Sequence, residues 1–299
     1  MPSQREVKTR IGSFKNIQKI TRAMEAVSAA RLRRAEQRIA ALRPYADAIR
    51  RMARQAARDA GAEVSGLPLL VRHDPVERVG ILLVTADRGL AGAFNSQIIR
   101  TGLRVGAEVE AEGRTPVWYS SGRRGVSSLT FRGRTLAGSY VGFTDRPAFA
   151  DARAIAGDLI AAYVEGELDR VEIIYNGYVS PLTQRVTREV LLPLAEASIL
   201  GEDTADEDEH EGPRPLVEYE PEAEEILRTL IPDYVDISLY RALLESTASE
   251  HGARMTAMRS ASENAGDLID DLALEMNRAR QAEITQEIME VVAGAESLV

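Results

Sequence analysis

The most constraining feature of this chain is its last stretch. After Pro232, positions Leu244, Ala248, His251, Met255, Met258, Ser262, Ala265, Ile269, Leu272, Met276 and Ala279 follow one another in alternating steps of three and four. Five such heptad pairs predict one continuous helix with a seam for a single partner helix. After a one-residue shift the rhythm resumes at Ile284, Ile288, Val291, Ala295 and Leu298, a discontinuity that alters supercoiling locally. Pro232 sets the expected start, because a proline lacks the N–H and its ring crowds the preceding turn. Roughly 66 residues at 1.5 Å rise make a rod of about 100 Å. A compact domain of about 150 residues has a radius of gyration near 15 Å, so much of such a rod has to project.

A helix of this kind needs a partner, and the other end of the chain supplies one. From about Ser3 to Ala60 the sequence is dominated by Ala, Arg, Leu, Met, Gln and Glu, with Pro2 and Pro44 as its helix-hostile residues. Ile17, Ile20, Met24, Val27, Leu32, Ala35, Ile39, Leu42, Ala46, Ile49, Ala53 and Ala56 form the expected apolar stripe, narrow and rich in alanine. Charge points the same way. Residues 1–60 hold 15 Lys and Arg against 5 Asp and Glu, a net +10, whereas residues 222–299 hold 6 Arg against 16 acidic residues, a net −10. The two termini are electrostatic complements within a chain of net charge −9.

Between them the period changes. Val79–Thr85, Thr115–Ser120, Leu136–Val141, Arg170–Tyr175 and Val186–Leu191 read as strands, and Asn95–Glu112 and Pro147–Glu167 as crossover helices. The expected fold is therefore α/β: an open, mainly parallel, Rossmann-like domain inserted between the two helices of a long antiparallel coiled coil. The domain bounds are 1–60 for the first helix, 61–75 for a linker, 76–200 for the α/β domain, 201–215 for an acidic loop and 216–299 for the last helix. The loop assignment rests on seven acidic residues within 202–211 and no apolar period.

Several chemistries find no footing. The chain has no cysteine, which removes disulfides, thiol nucleophiles and thiolate metal sites. His73, His210 and His251 show no ligand spacing, and no metal or cofactor is expected. The turn Asp87-Arg88-Gly89-Leu90-Ala91-Gly92-Ala93-Phe94-Asn95 sits where a doubly wound sheet binds ligands, yet its glycines match neither GxGxxG nor GxxxxGK[ST]. It reads as a tight turn, as does Gly122-Arg123-Arg124-Gly125. Without a nucleophile or acid/base pair no catalytic residue is assigned. No apolar run approaches the roughly 20 residues that cross a bilayer. The alternative function is nucleic-acid binding by a coiled coil, motivated by the cluster Arg31, Arg33, Arg34 and Arg38. It is weakened by the absence of interleaved aromatics and by the acidic partner helix.

The residues that carry a family resemblance lie at both ends. Arg10-Ile11-Gly12-Ser13 and Gln18 through Ala30, and at the other end Ala279 through Ala295 (ARQAEITQEIMEVVAGA), resemble the gamma subunits of bacterial F-type ATP synthases. Between them lie the family's DRGL at Asp87–Leu90, YNxxxS at Tyr175–Ser180, LLP at Leu191–Pro193 and YEP at Tyr219–Pro221. Departures are conservative: Met24-Glu25-Ala26-Val27 replaces the frequent MxMV, and Arg31 and Arg34 replace lysines. The acidic loop matches no family motif, and the cysteine pair of thiol-regulated members is absent.

The resemblance implies a non-catalytic rotor shaft that couples c-ring rotation to the catalytic beta subunits. Its partners would be the alpha, beta and epsilon subunits and the membrane c-ring, and its place the cytoplasmic face of the cell membrane, peripherally bound. It further implies beta-subunit contacts at Met24, Arg254, Gln281, Thr285 and Glu287, and c-ring contacts at Glu218, Tyr219 and Glu220.

Overall fold

The computed structural model describes residues 4–60, 66–181, 183–194 and 223–296, and the chain divides into two units, Met1–Ala30 with Arg254–Val299, and Arg31–Ala253. Helix α1 (Gln4–Ala60) and helix α5 (Ala223–Glu296) each contribute to both. The acidic loop 201–215, His210 and the expected c-ring contacts Glu218, Tyr219 and Glu220 lie outside the described residues.

The first unit is a pair of antiparallel helices. Gln18 and Arg22 of α1 both reach Ser262 of α5, and Glu25 reaches Arg259, so the register runs down one helix as it climbs the other. On α1 the inward positions are Val7, Ile11, Phe14, Gln18, Thr21, Glu25 and Ser28, an unbroken alternation of four and three that leads into Leu32 and Ala35. This corrects the expected stripe. Ile17, Ile20 and Val27 are exposed, at 46%, 58% and 53%. Choosing apolar residues forced a five-residue step between Val27 and Leu32, whereas the frame that stays in phase puts polar side chains in the seam. On α5 the seam is Met258, Ser262, Ala265, Ile269, Leu272, Met276 and Ala279, as the heptads predict. From Arg280 to Ala293 every residue is exposed. The resumed rhythm at Ile284, Ile288 and Val291 therefore packs against nothing among the described residues of this unit.

The second unit is built on a five-stranded sheet in the order β3-β2-β1-β4-β5. Its strands are β1 (Arg78–Val84), β2 (Thr115–Ser121), β3 (Leu136–Tyr140), β4 (Arg170–Tyr178) and β5 (Gln184–Leu192). The first four are parallel and β5 runs antiparallel to β4. β1 lies in the middle and is buried from Val79 to Val84 on both faces, which explains its unalternating run VGILLV. One face, with Ile81, Leu83, Trp118 and Ile174, is covered by α2 (Phe94–Ala111) through Phe94, Ile98, Val105 and Val109, and by Leu129 of α3 (Arg123–Phe131). The other face, with Leu82, Val84, Tyr119, Val171 and Ile173, is covered by Ile155 and Leu159 of α4 (Phe149–Val164). It also meets Leu227, Ile231, Val235, Leu239 and Leu243 of α5 and Ala53 and Ala56 of α1.

Two expectations are corrected here. The segment Gly122–Gly125 opens helix α3 rather than forming a simple turn. And α5 starts at Ala223, passing through Pro232. The lost backbone hydrogen bond is outweighed because Leu227 and Ile231 before the proline and Val235 after it are all buried on one helical face. Among the described residues no helix is long and apolar enough to cross a membrane.

Candidate functional site

At the carboxyl ends of the parallel strands a doubly wound sheet offers its ligand crevice, and here that position is filled from within. The Asp87 carboxylate accepts hydrogen bonds from the backbone N–H groups of Arg123 (3.0 Å), Gly142 (2.8 Å) and Thr144 (3.3 Å) and from the Thr144 hydroxyl (3.0 Å). The next two donors of α3 are also taken: Arg124 N–H by the Ala86 carbonyl, and Gly125 N–H by Thr85 Oγ1 at 2.8 Å. A helix N-terminus whose first three N–H groups are satisfied this way has nothing left for an external phosphate. Close approach locks the arrangement. Gly122 has φ +92°, and a Cβ there would lie 2.1 Å from the Thr85 carbonyl oxygen. Asn95 completes the turn by accepting from Ala86 N–H at 2.9 Å. The DRGL segment is thus a clasp joining β1, α3 and the loop after β3.

That loop also grips the helices. Asp145 pairs with Arg31 at 2.7 Å and with Arg88 at 3.5 Å, and its backbone carbonyl lies 3.5 Å from Nε2 of the buried His251. Burial pushes the Asp145 carboxyl up, but Arg31, then Arg88 and His251, hold it below the usual carboxylate range. Arg38 donates to the Pro147 carbonyl at 3.3 Å, and Glu36 accepts from the Tyr178 hydroxyl. Part of the basic surface of α1 is therefore neutralised by the α/β domain rather than by α5. Nothing in the sequence signalled Asp145, since its partners lie 114 and 57 residues away.

In the helix pair the polar seam is specific. Gln18 Nε2 donates to the Ser262 carbonyl at 3.2 Å, and Arg22 Nε donates to Ser262 Oγ at 3.3 Å. Thr21 and Ser28 return their hydroxyls to the backbone carbonyls of Gln18 and Met24. The cross-helix ion pair Arg259–Glu25, at 2.9 Å, has its signs opposite to the bulk charges of the two helices. Polar residues placed so fix register.

The positions that the resemblance marks as contacts fall into two kinds. Gln281, Thr285 and Glu287 are exposed on the part of α5 beyond Ala279, with the Thr285 hydroxyl donating to the Gln281 carbonyl at 2.8 Å. Met24 is half-buried beside the seam, and Arg254 is buried. The sequence missed the exposed apolar flank Ile17, Ile20 and Val27 as a surface feature because it counted those residues as core.

The family model described as ATP synthase matches residues 3–298. The ATP synthase gamma chain of Rubrobacter xylanophilus is 43% identical over 298 residues, covering 100% of this chain and 99% of its own. That of Streptomyces avermitilis is 44% identical, with 98% and 95% covered. Among solved structures, a chain of the central stalk and c-ring of the Tetrahymena thermophila mitochondrial ATP synthase aligns with a TM-score of 0.58 at 25% identity, covering 81% of this chain and 99% of that one. A chain of the Euglena gracilis mitochondrial ATP synthase rotor aligns at 0.64 with 18% identity, covering 94% and 98%, and so shares the fold.

Proposed function

The chain belongs to the ATP synthase gamma chain family, and we propose that it works as the central-stalk rotor of an F-type ATP synthase, turned at its base by the c-ring and imposing successive conformations on the catalytic beta subunits. It does no bond chemistry of its own. The observation that carries this reading is the outward apolar surface of the helix pair. Ile17, Ile20 and Val27 on α1 are exposed beside a seam that other residues fill, and Ile284, Ile288, Met289, Val291 and Val292 are exposed on α5 beyond Ala279, where that seam ends. Exposed apolar surface of this extent marks a docking surface, and a shaft turning inside a ring of alpha and beta subunits requires one on its flanks.

On this reading Gln281, Thr285 and Glu287 face beta-subunit loops, with Met24 and Arg254 bracing the contact from beside and within the seam. Glu218, Tyr219 and Glu220 meet the c-ring loops, and the α/β unit binds the epsilon subunit. The complex sits at the cytoplasmic face of the cell membrane, where this chain is a peripheral component.

Reconstitution tests the proposal. Alpha and beta subunits of the same complex, mixed with the full chain, should form a stable assembly with ATPase activity above that of alpha and beta alone. No co-elution and no gain in activity would remove it. In the intact complex Gln281→Ala should lower coupled ATP synthesis without changing the melting temperature of the chain, since Gln281 is exposed.

A further inference from the structure

One cavity in the α/β-containing unit lies outside the Asp87 clasp. It is an open cleft of about 710 Å³ lined by Arg31, Arg34 and Arg38 of α1, Arg146 of the loop after β3, and Leu244 and Thr247 of α5, with Asp145 as its carboxylate and with Arg34 and Arg146 exposed at its mouth. Arg31, Arg34 and Arg38 are spaced three and four residues apart, so one face of α1 presents all three. Asp145 is already held by Arg31 and Arg88. The guanidinium groups of Arg34 and Arg146 have no ion-pair or hydrogen-bond partner among the described residues. Ala35 and Ala41 keep the floor open, and the volume lies within the range of small-molecule sites.

Four arginines against one engaged carboxylate make a concave site of strongly positive potential. A guanidinium presents forked donors that match phosphate oxygens two at a time. Like charges converging on a cavity of this kind are stabilised by an anion that several of them share. We propose that this cavity binds a compact polyphosphate, a di- or triphosphate group recognised through its charge by Arg34, Arg38 and Arg146, with Arg31 anchored behind them by Asp145. The site is separate from the strand ends, where Asp87 already occupies the anion position.

The phosphate group could be free or carried by a nucleoside, and the two sources are separable. Isothermal titration of the full chain at low salt with inorganic tripolyphosphate, and in parallel with ATP, reads both. Saturable binding of tripolyphosphate is expected, weakening steeply as salt rises. Equal affinity for ATP means the site reads the phosphate chain alone, and tighter ATP binding means it also holds the nucleoside; either supports the site.

Arg34→Ala and Arg146→Ala should each weaken tripolyphosphate binding by about tenfold, the loss expected for one charge-assisted hydrogen bond. Neither breaks an internal pair, so the melting temperature should stay unchanged. Arg34→Lys should retain part of the affinity, and Arg100→Ala on α2, away from the cavity, should retain all of it. The proposal is overturned if tripolyphosphate does not bind at low salt, or if the Arg34 and Arg146 variants bind as the parent does. It is equally overturned if an oligoglutamate peptide binds and tripolyphosphate does not, because the cavity would then be a protein-docking surface.

Discussion

The Asp87 carboxylate accepts a 3.0 Å hydrogen bond from the backbone N–H of Arg123, so the first residue of α3 is anchored to the end of β1, 36 residues earlier. Its second oxygen binds Gly142 and Thr144 of the loop after β3. One side chain therefore ties three segments together at the strand ends.

Replacing Asp87 with Ala should destabilise the chain by about 1–2 kcal/mol, because three backbone donors lose their acceptor at once, those of Arg123 and Gly142 at exposed sites that water can reach and that of Thr144 at a half-buried one. Asp87→Asn keeps one acceptor oxygen but turns an NH₂ toward those donors, so it should lose roughly half as much. Urea unfolding of the full chain measures both. A loss below about 0.5 kcal/mol in Asp87→Ala would show that the clasp is dispensable.

The ion pair Arg259–Glu25 should contribute far less. Its Arg259 side chain is half exposed, and exposed pairs typically give about 0.2–1 kcal/mol. A double-mutant cycle on Glu25→Ala and Arg259→Ala should return a coupling energy in that range at low salt that shrinks at high salt. A salt-independent coupling above about 2 kcal/mol would mean that the pair is shielded from solvent.

Alkaline stability should depend on Tyr163. Burial, followed by the nearby Asp169 charge, pushes its hydroxyl up to about 12, and that hydroxyl donates to the Val71 carbonyl at 2.6 Å. A group whose folded pKa is raised favours the protonated folded state. Its contribution is complete below the ordinary tyrosine value near 10 and is lost as pH rises from there toward 12. Tyr163→Phe should be less stable at pH 8 by about 1 kcal/mol and should lose stability less steeply between pH 10 and 12. Parallel slopes for parent and variant in denaturation curves across that range would refute the assignment.

Much of this architecture is legible in the sequence, and the failures share one cause. The strand runs VGILLV and RVEIIY are buried on both faces, so hydrophobicity alone located them, and the α5 heptads from Met258 to Ala279 gave the seam directly. On α1 the same reasoning chose Ile17, Ile20 and Val27 because they are apolar. The seam instead holds Gln18, Thr21 and Ser28, whose polar groups are satisfied across the pair or along the helix. Helix α3 was missed because its start is set by Thr85 and Asp87, just after β1, rather than by a capping residue of its own. Pro232 misplaced the start of α5 because tertiary burial, invisible locally, outweighs one missing hydrogen bond. Asp145 was invisible for the same reason, since its role exists only once Arg31 and Arg88 converge on it.

The exposed apolar positions beyond Ala279 give the sharpest functional test. Ile288 is 58% exposed and Val291 is 72% exposed, so Ile288→Ser with Val291→Ser removes little that folding uses. The isolated chain should unfold within about 0.5 kcal/mol of the parent. Val7→Ser, in the fully buried seam, should by contrast cost about 2 kcal/mol by losing apolar burial and placing a hydroxyl in an apolar site. In the assembled complex the order should reverse. The Ile288/Val291 variant should lose coupled ATP synthesis or elute with less alpha and beta subunit, because those side chains gain their packing only from the surrounding ring. If that variant both folds and couples as the parent does, the exposed apolar surface of α5 is not where the shaft is held.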